Sequence, residues 1–269
     1  MLTPRTALLL AVTCFMGAAS AGEGPRIVLD PGHGGLQEGA VSATGYFEKN
    51  LALQVAERVK TELELLLHAH VQLTREHDVL LALADRVALA NRFKPDLFVS
   101  LHANSMPTRK LRERTEGIET FFLSPHASGD EAGKTAAREN AEGPHAGAPS
   151  AHDTLAFILA DLARSEAHTD SSRLAYAVHQ AIIRATHAVD RGVQQAPFYV
   201  LTGVEAPAVL VEVGFISHGA EGKRLREAGY QQQMARGIAQ GVQAFLRQLD
   251  ARERHPSPPP TSTPTAVAP

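Results

Sequence analysis

Thiols are almost missing from this sequence. Its one cysteine, Cys14, lies in an N-terminal stretch with the layout of an export signal. Arg5 gives a thin positive region, Ala7 to Met16 an apolar run, and Ala19-Ser20-Ala21 a small-residue cleavage site. A lipoprotein reading would make Cys14 the first mature residue, but Thr13 fits poorly before such a cysteine. A buried N-terminal helix is the other alternative, and the small residues that follow at once disfavour it. Residues 1–21 are therefore expected to be a signal peptide. The mature chain then has neither a disulfide framework nor a cysteine nucleophile. The apolar run is shorter than the roughly 20 residues that cross a bilayer, so no membrane span is expected. Charge is not concentrated either. With 26 Lys and Arg against 29 Asp and Glu, net −3, the chain lacks the basic excess of a nucleic-acid binder, and it has no acidic block.

Several catalytic signatures are also missing. There is no Gly-x-Ser-x-Gly elbow, and Gly32-His33-Gly34-Gly35 lacks the lysine of a phosphate loop. No Cys-rich zinc pattern, no His-Glu-x-x-His helix and no internal repeat occurs.

What is present is an alternation of short apolar runs with longer helical patterns. Arg26 to Asp30, Val71 to Thr74, Leu97 to Leu101, Ile118 to Leu123, Phe198 to Leu201 and Ala208 to Val211 read as strands. Glu48 to Leu67 places Leu51, Val55, Val59, Leu63 and Leu66 three and four apart, as on one helix face. Leu81 to Phe93, Ser171 to Thr186 and Tyr230 to Leu249 read as further helices. The pattern predicts an α/β fold, one domain over residues 24–250. Its sheet is mostly parallel or mixed and twisted, with helices on both faces. From His255 the chain reads HPSPPPTSTPTAVAP, too poor in apolar residues to join a core, so 251–269 is expected to be a disordered Pro-rich tail. An insertion at about 125–169 contains two helix-like pieces, Glu131 to Ala141 and Asp153 to Arg164, around a Gly/Ala/Pro-rich middle. It is either a surface excursion that packs its apolar stripe on the core or a lid.

Ligands of open α/β sheets sit beyond the carboxyl ends of the strands, and four residues fall there. His33 follows the first strand, Glu48 opens the first long helix, His102 follows the third strand, and Glu212 ends the last. Each has a plain alternative: a histidine after a strand is often structural, and a glutamate suits a helix N-terminus. Glu212 is harder to explain that way, because a carboxylate in a run as apolar as Ala208 to Phe215 is costly to bury alone. Two imidazoles and one carboxylate make a three-ligand catalytic metal set with a position left for water, and the second carboxylate then serves as base. Such ligands accommodate several divalent ions.

IVLDPGHGG (27–35), EKNL (48–51), Thr74-Arg75 with Asp78, DRVALAN (85–91), SLHAN (100–104) and VEVGFIS (211–217) resemble the zinc-dependent N-acetylmuramoyl-L-alanine amidases, in the family's order and over nearly the whole domain. The resemblance implies Zn2+ bound by His33, Glu48 and His102, with Glu212 as the catalytic carboxylate. Asp30 and Asn104 either orient the ligand histidines or make ordinary turn hydrogen bonds. It also implies a periplasmic, monomeric enzyme that cuts the amide between N-acetylmuramic acid and L-alanine of the peptidoglycan stem, for wall remodelling and daughter-cell separation. Arg138-Glu139-Asn140-Ala141 and the residues from Asp153 to Leu162 resemble the regulatory segment of the division-associated amidases. By that likeness Glu139 is an autoinhibitory metal ligand and the releasing partner a LytM-type activator. The chain departs from that subgroup in running from its leader straight into the first strand, and in an Ala/Pro-rich stretch from Gly143 to Ser150. A non-catalytic peptidoglycan-binding module and a zinc peptidase acting within the stem are the alternatives.

Overall fold

The computed structural model describes residues 24–141 and 165–254. Six strands form one sheet: β1 (Arg26–Pro31), β2 (His70–Leu73), β3 (Leu97–Asn104), β4 (Ile118–Leu123), β5 (Asp190–Ala196) and β6 (Ala208–Phe215), in the order β2-β1-β3-β6-β4-β5. β2, β1, β3 and β6 are parallel; β4 runs antiparallel to β6, and β5 parallel to β4. The helices are α1 (Glu48–Leu67), α2 (Leu83–Phe93), α3 (Arg109–Arg112), α4 (Asp130–Asn140), α5 (Ser165–Thr186), α6 (Gly219–Arg224) and α7 (Ala228–Arg254). This is the mixed, helix-flanked α/β sheet that the sequence pattern predicts.

Alternation along the strands separates two cores. Ile27, Leu29, Leu97, Val99, Leu101, Val209 and Val211 face α1, α5 and α7, where Leu51, Val55, Val59 and Leu63 of α1 are fully buried. Val28, Phe98, Phe121 and Leu210 face the other way, against Ala90 of α2 and Ala132 and Ala136 of α4. α1 stops at His68, which takes a left-handed conformation (φ 52°) and returns its N–H to the Glu64 carbonyl at 3.1 Å.

Two expectations differ from the structure. Phe198 to Leu201 is no strand: Tyr199–Leu201 is a 3-10 turn that buries Val200 and Leu201 in the second core. The strand of this region is β5, a polar DRGVQQA run. As the outermost strand of the sheet it needs no apolar alternation. Instead, buried His179 of α5 ties it down, with Nδ1 3.0 Å from Thr120 Oγ1 of β4 and Nε2 2.8 Å from Asp190 Oδ1 of β5. The last helix runs to Arg254, past the expected start of the tail. Of the insertion's helix-like pieces, the first is α4; the second, at 153–164, lies outside the described residues, as do the leader and residues 255–269.

At the end of β1 the fold buries a charge pair. Asp30 accepts from Arg86 Nη1 of α2 at 2.8 Å, Thr74 Oγ1 at 2.6 Å and Ser100 Oγ at 2.7 Å. Both residues of the pair are at most 1% exposed. Burial alone would raise the Asp30 pKa, but the Arg86 charge and the three hydrogen bonds outweigh it and hold the group below its ordinary 3.8. Asp30→Ala is expected to cost about 3–5 kcal/mol in urea denaturation, because it removes the buried carboxylate paired with Arg86. A depressed carboxyl contributes in full above its unfolded pKa and loses that contribution as pH falls through the folded one. The parent's stability should therefore drop below about pH 4, and the variant should lack this part of the acid slope.

Candidate functional site

The second-core face of the sheet turns polar at its carboxyl end. Asp30 of β1, Ser100, His102 and Asn104 of β3, Glu212 of β6 and Glu119 of β4 continue the alternation of Val28, Phe98, Leu210 and Phe121. His102 and Glu212 are direct partners in the β3–β6 register, and Glu119 and Glu212 in the β4–β6 register. His102 and the three carboxylates, Asp30, Glu119 and Glu212, are all buried.

His33, Glu48 and His102, far apart in sequence, meet here, and Glu139 of α4 joins them. Glu48 Oε1 lies 3.0 Å from His33 Nε2 and 3.0 Å from His102 Nδ1. Glu139 Oε2 lies 3.2 Å and 2.9 Å from the same two nitrogens. The four donor atoms fall within 4.8 Å of one another. Donors about 2.0–2.2 Å from a tetrahedral ion stand roughly 3.3–3.5 Å apart, so the cluster fits a metal ion after small outward shifts.

Electrostatics point the same way. Burial would raise the Glu48 pKa, yet the charges and hydrogen bonds of His33 and His102 hold it well below the usual carboxylate range. Burial would lower that of His102, yet Glu139 and Glu48 push it up to about 10. Burial and the Glu48 charge work against ionisation of Glu139, but the two histidines keep it lowered. Carboxylates that draw protons onto buried imidazoles form a site that demands positive charge at its centre, which a divalent cation would supply.

The scaffold around the cluster is backbone and arginine. His33 has a left-handed φ of 60°, a conformation that costs a non-glycine residue on the order of 1 kcal/mol. Arg86 donates to the carbonyls of Pro31 and His33 at 2.7 Å each, and Arg75 to those of Pro31 (3.0 Å) and Gly32 (2.8 Å). Glu48 is clamped through Ala40: the Glu48 N–H donates to the Ala40 carbonyl at 2.8 Å, and the Ala40 N–H to Glu48 Oε2 at 2.7 Å. Glu48 Oε1 also accepts from the Ala103 N–H at 2.9 Å. Two glycines leave room for the ligands. A Cβ on Gly32 would stand 2.3 Å from the His102 ring, and one on Gly39 (φ 67°) 2.6 Å from both Glu48 Oε2 and the His33 ring.

Glu212 is fully buried, and neither of its carboxylate oxygens has a hydrogen-bond partner among the described residues. Burial first, then the charges of Glu139 and Glu48, raise its pKa well above the ordinary range, against the opposing pull of His102 and Arg138. α4 reaches the site between polar anchors. Arg138 Nη2 donates to Asn104 Oδ1, and Asn104 Nδ2 donates to Glu119 Oε2 at 2.9 Å. Asn140 spans the turn after β5, donating to the Pro197 carbonyl at 2.7 Å and accepting from the Tyr199 N–H at 2.8 Å. Asp30 and Asn104 thus act through the scaffold: Asp30 holds Arg86, which holds the His33 carbonyl, and Asn104 holds α4.

The family model for N-acetylmuramoyl-L-alanine amidases matches residues 27–244. The chain belongs to this family. The N-acetylmuramoyl-L-alanine amidase AmiC of Neisseria meningitidis is 32% identical over 246 residues, covering 91% of this chain and 58% of the relative. AmiA of Escherichia coli K12 is 32% identical over 235 residues, covering 85% of this chain and 78% of the relative. Among solved structures, an N-acetylmuramoyl-L-alanine amidase from Clostridium difficile 630 aligns with a TM-score of 0.64 at 27% identity, covering 84% of this chain and 98% of the other. The chain spans little more than half the length of the Neisseria amidase.

Motif reading of this amidase-family chain points to His33, Glu48, His102 and Glu212, and the structure brings the first three together with Glu212 in register beside His102. It includes Arg75, Arg86 and Asn140 within its motifs without giving them a role, and passes over Gly39 and Glu119. Arg86 leaves one trace, a charge on the same helix face as Leu83 and Ala90, three before and four after it. Gly39→Ala is expected to weaken metal binding about 10- to 100-fold by displacing Glu48 and His33 together, read as metal retained after dialysis against a graded chelator.

Proposed function

We propose that the chain hydrolyses the amide between the lactyl group of N-acetylmuramic acid and L-alanine of the peptidoglycan stem, with Zn2+ held by His33, Glu48 and His102. The observation that carries this reading is Glu212: a buried carboxylate with unfilled oxygens, set in register beside His102. A purely structural metal site has no use for it. Zinc in such a donor set supplies Lewis-acid polarisation of a carbonyl and acidification of a water towards a pKa of about 7. This chain's residues do the rest. Glu212 takes the proton of the attacking water and delivers one to the departing amine of alanine. Arg86 and Arg75 keep the His33 loop in place, and the apolar second core behind the sheet face excludes bulk water from the rear of the site.

Glu139 fills the fourth donor position, so α4 in this position blocks water and substrate alike. In the proposed cycle a LytM-type activator withdraws α4 and populates an open site. The leader predicted at 1–21 fits export to the periplasm, where such an enzyme meets its substrate. No helix among the described residues is long and apolar enough to cross a membrane. A second reading, a non-catalytic metal-containing wall-binding module, is favoured by the four-donor set itself, since closed four-ligand sites are usually structural.

Product analysis separates these readings. Digestion of purified wall by the Glu139→Ala protein is expected to release intact stem peptides from intact glycan; shortened stems would indicate a peptidase, and no product a binder. Glu212→Gln is expected to keep its metal while losing turnover by about a hundred- to ten-thousand-fold, and near-parental release by that variant would remove Glu212 as base. Glu139→Ala and Asn140→Ala should each raise basal release without a partner, Glu139→Ala by more. A Glu139→Ala protein that binds metal yet stays at parental activity would make Glu139 an ordinary structural ligand.

A further inference from the structure

Exposed positive charge gathers along one rim of the sheet's carboxyl end. The β3–β4 connection carries Arg109, Lys110, Arg112 and Arg114, all exposed, against Glu113 and Glu116. Its path is fixed at both ends. The Met106 N–H donates to Ser217 Oγ at 3.0 Å, Arg112 Nε donates to the Met106 carbonyl at 2.6 Å, and the Gly117 N–H donates to Glu221 Oε2 at 3.0 Å. These bonds lay the connection against α6, whose end brings Lys223 and Arg224 and then Arg226. Glu116 bridges the two groups, 3.7 Å from Arg224 Nη2 and 3.9 Å from His218 Nδ1. Arg226 Nη1 donates to Thr44 Oγ1 at 3.2 Å, and its guanidinium lies 5.1 Å from the Tyr46 ring centroid, in the loop that leads into Glu48. The cations thus run as a belt from α3 to the loop beside the metal cluster.

Compensation along the belt is partial. Arg109 pairs with Glu113 at 2.9 Å, and Arg224 with Glu116 and Glu221. Lys110, Arg112, Arg114, Lys223 and Arg226 have no carboxylate partner among the described residues, in a chain whose net charge is −3. Unpaired cations in one place on a net-acidic protein attract an anionic ligand over about a Debye length. A lipid surface suits the belt poorly, since Leu111 is the one large apolar side chain exposed within it, too little to insert between acyl chains.

We propose that the belt binds the free carboxylates of the substrate's stem peptide, holding the anionic peptide while its first amide lies at the cluster. This rests on the amidase reading above and adds to it the part of the substrate that is gripped. The belt is a binding surface, with no role in proton transfer, so it acts on affinity rather than turnover.

The test uses the full chain and a soluble disaccharide–tetrapeptide wall fragment, prepared with its stem carboxylates free or amidated. The comparison is the parent against the triple variant Lys110→Gln, Arg114→Gln, Lys223→Gln; none of these side chains makes a described hydrogen bond or ion pair, so folding is preserved. Calorimetric titration should show the variant binding the free-acid fragment about three- to tenfold more weakly, with the parent losing a similar factor on amidation and the variant indifferent to it. Raised salt should close the gap, and KM should rise with kcat kept. Equal binding of the two fragments by the parent, or parental affinity in the variant, overturns the proposal. So does loss of binding to phosphatidylglycerol vesicles with fragment binding unchanged, which assigns the belt to lipid. Carboxylate-dependent binding with no amide cleavage even by the Glu139→Ala protein would keep the belt and remove the amidase reading; cleavage without that dependence would do the reverse.

Discussion

The Asp30–Arg86 pair holds the rest of the site together. A guanidinium with almost no solvent exposure is tolerable only with a carboxylate against it, and here its Nη1 and Nη2 also donate to the backbone that carries His33 while Nε donates to the Leu81 carbonyl. One buried pair thereby converts the end of a strand into a fixed platform for a left-handed histidine. Thr74, just past the end of β2, and Ser100 of β3 complete the Asp30 shell from either side of β1. The metal cluster is therefore anchored by α2 and three strands before any ion contributes.

The mixed sheet explains why so many acids share one corner. The parallel strands β1, β3 and β6 deliver their carboxyl ends to the same edge, and the reversed β4 brings its beginning there, so Glu119 arrives beside Glu212. Asn104 and Arg191 satisfy Glu119, with Arg191 Nε donating at 2.8 Å. Glu212 is left with nothing comparable. Two neighbouring carboxylates on one face thus have opposite environments, one satisfied by hydrogen bonds and one buried without them among the described residues.

Much of this was legible in the amino-acid order. Strands buried on both faces appear as apolar runs, and the switch from Phe98 to Ser100, His102 and Asn104 marks where the core ends and chemistry begins. α1 was visible through Leu51, Val55, Val59 and Leu63. β5 was not, because an edge strand held by His179 and Asp190 has no hydrophobic signature, while the apolar Phe198 to Leu201 segment fills the core as a turn. Glu139 could be singled out through family likeness alone: one glutamate in a polar helix resembles any other until packing directs it inward. Arg75 and Arg86 stand in recognisable motifs, but their role stayed hidden for a related reason, since a sequence does not reveal that a helical or loop arginine is turned towards carbonyl oxygens.

Arg138, Glu139 and Asn140 are consecutive, so on a helix of about 100° per residue they fan out in three directions: to Asn104, to the histidines and to the turn after β5. Such a geometry gangs the three contacts. No rotation or slide of α4 moves the glutamate while sparing its neighbours. The three attachments stand or fall as one unit, so the position of Glu139 is fixed by two contacts that never touch the cluster.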